Sequence, residues 1–383
     1  MKKKIIKVTA VPASLVLLKG QLKFLSNYFE IIGVTSPAGD YIAKISEREG
    51  VYIEAIEIQR RISLITDLKS LWHLYKFFKA EKPFIVHSIT PKAGLLSMIA
   101  AYLAGVPNRI HTFTGLIFPI KKGFSKKILI LTDKILCFCA TQIFPEGIGV
   151  KNDLINYKIT TKPLKVIANG NINGIDITYF NPNQFNISSK KNLKKQLLID
   201  DNDFIFIFIG RLVKDKGVNE LVKSFKLLNK KNKNTKLLLV GDFEDELDPL
   251  DLQTTLEIRS NNNIIFTSWV DDVRPYLSIA DVLTFPSYRE GFPNVVLQAG
   301  AMGLPSIVTD INGSNEIIIE GVNGTIIPPQ SENALYCEML KSYNKQTIYD
   351  KGVCRELIVE KYEQQIVWRA ILEEYQKLVK NCN

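Results

Sequence analysis

The chain has 383 residues, 46% of them hydrophobic, with 49 Lys and Arg against 39 Asp and Glu and a formal charge of +10. That length exceeds what one hydrophobic core organises, so two domains are expected, and 22 glycines and 16 prolines without a low-complexity tract exclude collagen-like and disordered classes. The five cysteines (Cys137, Cys139, Cys337, Cys354, Cys382) are odd in number and lack Cys-x-x-Cys, which excludes a complete disulfide framework and points to a reducing compartment.

The N-terminal run Met1-Lys2-Lys3-Lys4 before Ile5 and Ile6 resembles the start of a signal peptide. Lys7 and Lys19 flank the apolar stretch and Pro12 breaks it, so a buried first strand is expected instead. Further strands in the first half are expected at 31–35, 84–87 and 109–113. Residues 67–80 set Leu68, Leu71, Trp72, Tyr75 and Phe78 at helical spacing, with Lys69, His73 and Lys76 on another face. The longest apolar run, 93–106, falls short of the ~20 residues that span a bilayer. Residues 121–129 mix Lys121, Lys122, Lys126 and Lys127 with bulky apolar side chains. Such a patch docks a protein on an anionic bilayer, at about 1 kcal/mol per lysine; a soluble helix-entry loop has the same composition.

In the second half, strands are expected at 204–209, 236–240, 264–267, 282–285 and 306–308, with helices at 218–229, 272–279 and 294–302. A closing amphipathic helix is expected over about 354–380. Apolar strands alternating with helices imply parallel sheets covered on both faces. Two such series, parted by the polar segment from 181 to about 195, imply an α/β fold of two doubly wound domains. Ligands bind such sheets at the carboxyl ends of the strands, here in the cleft between the domains. Charge divides with the halves: residues 1–170 hold 25 basic and 11 acidic residues, a balance of +14, and the remainder carries −4. A basic half suits an anionic partner, whether nucleic acid, a membrane face or a phosphorylated substrate. The absence of an RNP motif weighs against nucleic acid.

The chemistry-bearing residues concentrate in the second half. After the strand at 204–209 come Gly210 and Arg211, then Lys216 and Gly217 before a helix. Arg211 forks two phosphate oxygens while Lys216 supplies a compact point charge, so both can converge on one anion. Neither GxGxxG nor GxxxxGK[ST] is present, so dinucleotide and P-loop readings have no support. After the strand at 282–285 come Glu290, Gly291, Phe292, Pro293, Asn294 and Val295, with Gln298 on the following helix. Pro293 suits the first helical position, and the amides of Asn294 and Val295 would face a phosphate at the helix N-terminus. Glu290 is placed to accept hydrogen bonds from hydroxyls. A carboxylate near a helix dipole explains Glu290 alone, but not the whole set.

The combination GRLxxxKG, PSxxEGFPNVxLxAxAxGxP and the segment from Asp310 through Gly313 to Glu316 strongly resembles the family 4 retaining glycosyltransferases of the GT-B fold. The first half resembles the subset that builds bacterial capsule and O-antigen repeats, at residues 9–15, 19–21, 86–94, 109–115 and 169–176. The resemblance covers roughly residues 3–375. It implies two Rossmann-like domains facing a cleft: residues 1–183 for the acceptor, 184–365 for the nucleotide-sugar, and 366–383 as a closing helix packing back toward the first domain.

The resemblance further implies that Arg211 and Lys216 bind the donor diphosphate. Glu290 would contact the transferred sugar, and Gly210, Gly291, Phe292, Asn294 and Val295 would lend backbone around it. Gln298 stands where the family usually has a second glutamate holding the ribose, and an amide still bonds a diol as donor and acceptor. His111, at a strand end in the first half, would lie beside the donor sugar; the competing reading is a satisfied core histidine. His87 ends another strand in the same manner. Ser14, His87 and Lys92 form the acceptor side, and residues 267–270 would read the base. Front-face transfer needs no covalent carboxylate nucleophile, and no metal and no cofactor are expected.

The expected activity is transfer of a hexose or acetamido sugar from a nucleotide donor, UDP-linked, to a lipid-diphosphate-linked saccharide. It would take place at the cytoplasmic face of the cell membrane, in peripheral contact with anionic lipid and without nucleic acid. The alternatives left open are a non-catalytic nucleotide-sugar-binding relative, for which Gln298 speaks, and a GT-B sugar-nucleotide 2-epimerase.

Overall fold

Runs such as Phe204–Ile209, alternating Phe and Ile, have no polar face to turn toward water and are buried along their length. Their backbone groups are satisfied only by neighbouring strands covered on both sides, which is the parallel α/β arrangement. The structure, a computed structural model, describes residues 2–59, 63–244, 246 and 248–381. Met1 and Cys382, which the sequence reading used, lie outside the described residues. The other four cysteines are free thiols.

The chain divides into two units, 1–174 with 364–383, and 175–363. The first contains β1 (Lys4–Val8), α1 (Pro12–Val16), α2 (Gln21–Ser26), β2 (Glu30–Thr35), α3 (Asp40–Glu49), β3 (Tyr52–Ala55) and α4 (Leu64–Glu81). It continues with β4 (Ile85–Ile89), α5 (Pro91–Ala104), β5 (Asn108–Phe113), α6 (Gly123–Cys139), β6 (Gln142–Pro145) and α7 (Ile148–Asn156). The second unit opens with α8 (Ile187–Gln196), β7 (Phe204–Ile209), α9 (Val218–Lys231), β8 (Thr235–Val240), α10 (Leu252–Ser260), β9 (Ile264–Phe266) and α11 (Arg274–Ile279). It closes with β10 (Val282–Phe285), α12 (Asn294–Ala301), β11 (Ser306–Thr309), α13 (Ser314–Ile317), β12 (Gly324–Ile327), α14 (Glu332–Tyr343) and α15 (Lys351–Tyr362). The last helix, α16 (Gln364–Lys380), belongs to the first unit.

Each unit is built on a six-stranded parallel sheet, ordered β3-β2-β1-β4-β5-β6 and β12-β11-β10-β7-β8-β9. Both are the Rossmann order, and strand direction of travel reverses between β1 and β4 and between β7 and β10. These are the points where a ligand crevice opens at the carboxyl edge. Three strands were not foreseen from the sequence: β3, β6 and β12. All three are edge strands, short and in part exposed, so they lack the continuous apolar run that betrays a central strand.

Two boundaries differ from the sequence expectation for physical reasons. Residues 175–183 belong with the second unit, so the chain parts at Gly174 rather than at 183. Ile175 and Phe180 enter that unit's core, and the Arg355 guanidinium donates to the carbonyls of Ile177 (2.9 Å) and Phe180 (2.6 Å). The expected single closing helix is two helices broken at Glu363, where the backbone turns extended. No Gly or Pro marks the break. There the Ile175 amide donates to the Tyr362 carbonyl (2.7 Å), a tertiary bond in place of a helical one.

The first unit carries an unusual buried polar layer. Lys7 is 1% exposed; its ammonium donates to Gln21 Oε1 (2.6 Å), and Gln21 in turn donates to the Ile172 carbonyl (2.9 Å) and to Asn173 Oδ1 (3.1 Å). The Trp368 indole of α16 donates to the same Asn173 oxygen (2.7 Å). Burial lowers the Lys7 pKa from 10.5 to about 7. Between those values the unfolded chain holds a proton that the folded chain has released, so this group makes stability rise with pH across that window. Urea denaturation from pH 7 to 10 is expected to show the wild-type midpoint climbing relative to Lys7→Met; parallel profiles contradict the assignment.

Candidate functional site

The loops after β7 and β10 leave adjacent strands at the point where the second sheet's order reverses. Their union is enforced by backbone contact. Gly217 has φ +70°, and a Cβ there would lie 2.0 Å from the Pro286 carbonyl oxygen, so only glycine admits this approach. The Tyr288 amide donates to the Asp215 carbonyl (2.8 Å), and the Arg289 guanidinium pairs with the Asp215 carboxylate (2.8 Å). Asp215 also uses its own amide to donate to Asp248 Oδ2 (2.7 Å). The two loops therefore present a single surface.

On that surface the Lys216 ammonium pairs with the Glu290 carboxylate, each side chain 17% exposed. Ser287 Oγ donates to the same carboxylate oxygen (3.0 Å). Residues 74 positions apart in sequence thus form one charged couple. Arg211 pairs with Glu244, from the loop after β8, and its side chain is half exposed. Gly291 and Phe292 are buried behind Glu290, and the Phe292 ring packs on Tyr362 (5.5 Å between centroids). Pro293 caps α12 with extended backbone and Asn294 is its first residue, one position later than the sequence suggested for the proline. Asn294, Val295 and Gln298 lie half buried along the start of that helix. The Trp269 amide donates to Asp242 Oδ1 (3.0 Å) and its ring is largely exposed, beside the end of β8. The arrangement sets a lysine–carboxylate couple on this surface, with a second cation, Arg211, earlier in the same loop.

The sequence reading missed Glu244 and Asp215. Glu244 lies one strand over from Arg211, and only the adjacency of β7 and β8 shows that they meet. Asp215 was hidden between two lysines, where it reads as a solvated charge.

In the first unit, Ser14 and Lys92 flank the corresponding reversal between β1 and β4. Ser14 is half buried in α1. Lys92, in the first turn of α5, pairs with Asp67 (2.7 Å). Thr90 between them holds φ +78°, a conformation rare for a β-branched residue and of the kind that clusters at binding loops. The Ala10 amide donates to its hydroxyl (3.3 Å).

Both histidines are buried. His111 does not open onto the strand ends: it is fully buried within β5, with Nδ1 paired to Ser88 Oγ (2.8 Å). Its ring lies against Gly94 of α5, where a Cβ would come within 2.4 Å of the ring. Burial lowers its pKa to about 3, which keeps the imidazole neutral. His87 is buried on the opposite face of the sheet, with Nδ1 paired to the Tyr375 hydroxyl (2.5 Å) and Nε2 to Thr112 Oγ1 (2.8 Å). Burial first, then the nearby charges of Lys7 and His111, hold its pKa well below the usual histidine value. A strand-end position in sequence does not say which face a side chain takes.

A family model described as glycosyl transferases group 1 matches residues 189–351, and one described as glycosyl transferase 4-like matches residues 7–145. The chain belongs to this glycosyltransferase family, and its two Rossmann-like units are those of the GT-B fold. It is similar to the capsular polysaccharide biosynthesis glycosyltransferase CapM of Staphylococcus aureus, at 33% identity over 382 residues and 98% of each chain. It is also similar to the UDP-Gal:α-D-GlcNAc-diphosphoundecaprenol α-1,3-galactosyltransferase of Escherichia coli, at 33% identity over 272 residues, 70% of this chain and 68% of that one. The Anabaena protein HepE, solved with UDP-glucose, shares the fold with a TM-score of 0.80 at 17% identity over 98% of this chain and 99% of that one.

Because any side chain at 217 must displace the Pro286 carbonyl, Gly217→Ala is expected to destabilise the second unit by about 1–3 kcal/mol. Thermal melting tests this, and an unchanged transition would remove the claim that this contact sets the loop.

Proposed function

We propose that the chain transfers a sugar, with retention of anomeric configuration, from a UDP-sugar to a polyprenyl-diphosphate-linked saccharide in capsule or O-antigen assembly. The observation that carries this reading is the Lys216–Glu290 couple at the reversal point of the second sheet, with Arg211 earlier in the same loop as Lys216. The names of the two similar proteins, one capsular and one acting on a diphosphoundecaprenol-linked sugar, support the substrate classes.

In this mechanism the second unit holds the donor. Arg211 and Lys216 grip the diphosphate and offset the charge that grows on it as the glycosidic bond breaks, the main source of acceleration. The diphosphate takes Lys216 from Glu290, and the released carboxylate accepts hydrogen bonds from the hydroxyls of the departing sugar. The buried wall of Gly291 and Phe292 fixes Glu290, while the amides of Asn294 and Val295 face the phosphates at the start of α12. Gln298 bonds the ribose. The acceptor hydroxyl attacks from the face the diphosphate leaves, its proton passing to the leaving phosphate oxygen, and no metal ion takes part. The first unit holds the acceptor, with Ser14, Thr90 and Lys92 at its reversal point and the +14 charge of residues 1–170 favouring a lipid diphosphate. His87 and His111 keep the sheet beneath these loops in shape and make no substrate contact. The reaction takes place at the cytoplasmic face of the membrane, with the chain in peripheral contact with anionic lipid.

The test is nucleoside diphosphate release from a panel of UDP-, GDP- and ADP-sugars with membrane extract as acceptor. Acceptor-dependent release from one donor is expected, reduced about 10²–10³-fold in both Lys216→Ala and Glu290→Ala. Gln298→Glu is expected to move donor KM and leave kcat in place. Donor binding without turnover under any acceptor condition would instead make the chain a nucleotide-sugar-binding relative.

A further inference from the structure

Helices α4, α5 and α6 pack side by side in the first unit. The outer side of α6 is not the polar face of an ordinary surface helix. Phe124, Ile128, Leu131, Ile135 and Phe138 recur at i, i+4, i+7, i+11 and i+14, which draws one stripe along the helix. All five are exposed, Phe124 by 76% and Phe138 by 67%. The Phe138 ring meets the exposed Tyr102 of α5 (5.9 Å between centroids). The first half of α4 repeats the pattern with exposed Leu64, Ile65, Leu68 and Trp72. An exposed apolar stripe running the length of a helix on its water-facing side marks an interaction site.

The charges around the stripe have one sign. Lys121, Lys122, Lys127 and Lys134 stand beside it, all exposed. The carboxylates of the two helices are Asp67, Glu81 and Asp133. Asp67 pairs with Lys92 (2.7 Å) and Glu81 with Lys4 (2.6 Å). Asp133 lies on the inward side of α6, where burial raises its pKa to about 7. The outer side therefore offers cations and apolar groups without opposing carboxylates. A second copy of the chain would set lysines against lysines on this surface, whereas an anionic bilayer takes both the apolar stripe and the lysine flank. Among the described residues no helix is long and apolar enough to cross a membrane, so the helix lies along the surface. Both α4 and α6 begin at the carboxyl edge of the first sheet, the edge where the crevice opens.

We infer that the outer face of α6, with the first half of α4, is the surface by which this chain lies on anionic phospholipid. This deepens the reading of a lipid-linked acceptor and rests on it for its purpose, but lipid binding is measurable without substrate. The experiment is flotation of the purified chain with vesicles of phosphatidylcholine, with and without phosphatidylglycerol. The wild type is expected to float with the anionic vesicles and far less with neutral ones. The triple variants Phe124→Ser/Leu131→Ser/Phe138→Ser and Lys121→Gln/Lys122→Gln/Lys127→Gln are each expected to weaken binding about tenfold or more. The control Leu252→Ser/Leu256→Ser, which removes exposed apolar groups of α10 in the second unit, should leave it unchanged. Thermal melting confirms that each variant folds.

No flotation of the wild type, or equal flotation of all variants, would overturn the inference. So would light scattering that shows a wild-type dimer dissolved by the apolar triple, since the stripe would then be a self-interface. Turnover of a water-soluble short-chain lipid-diphosphate acceptor separates this claim from the one above. Flotation without turnover leaves the docking face and removes the transferase reading, and turnover without flotation does the reverse.

Discussion

A backbone contact with no room for a side chain, Gly217 against the Pro286 carbonyl, holds the candidate site of this protein together. It locks the loop after β7 to the loop after β10, and so joins Lys216 to Glu290 across the reversal of the second sheet. Neither residue alone is unusual: a lysine in an αβ turn and a glutamate before a helix are common surface features. Their partnership arises because parallel strands with opposite directions of travel leave their following helices on opposite faces, which opens a crevice between two loops that would otherwise be covered. The rest of the second unit, with its apolar strands and its helices capped by Asn186, Ser331 and Asp350, keeps those loops in register.

The charge arithmetic of the site is close to balance. Lys216 is met by Glu290, Arg211 by Glu244 and Arg289 by Asp215. Arg289 and Asp215 act as a brace, because the same carboxylate residue is tied through its backbone to Tyr288 and Asp248. The pair of Arg211 and Glu244 is the more exposed of the remaining two and correspondingly weak, since water screens it. In the proposed mechanism a diphosphate, with more charge than either carboxylate and oxygens at fork spacing, would take these cations from both.

How much of this was legible in the sequence follows from what each signal measures. Central strands announce themselves as apolar runs, and all five expected in the second unit are present within a residue or two. Edge strands β3, β6 and β12 are four residues each, with Glu54, Gln142, Pro145, Gly324 or Thr325 among them, and give no such run. The break at Glu363 was invisible because its cause is a bond from Ile175, nearly two hundred residues upstream. Gly217, Lys216 and Glu290 stood out in the sequence as loop residues after strands, and the structure brings their two loops together. The burial of the histidines was not legible, because His87 and His111 sit on opposite faces of neighbouring strands and both faces are covered. Burial, not the residue type, sets their protonation, and the same is true of Lys7.

The first unit shows how a fold can serve two surfaces at once. Its sheet has one face against the polar layer of Lys7, Gln21, Asn173 and Trp368, which ties α2 and α16 to the strands. Its other face is covered by α4, α5 and α6, whose inner sides are core and whose outer sides are apolar and basic. The central claim, that the diphosphate of a sugar nucleotide sits between the loops after β7 and β10, is tested most directly by a crystal structure of the chain with UDP bound. The account predicts both phosphates within hydrogen-bonding distance of Arg211 and Lys216, with Lys216 no longer paired to Glu290. A nucleotide bound elsewhere, or one that leaves the Lys216–Glu290 pair intact, would contradict it.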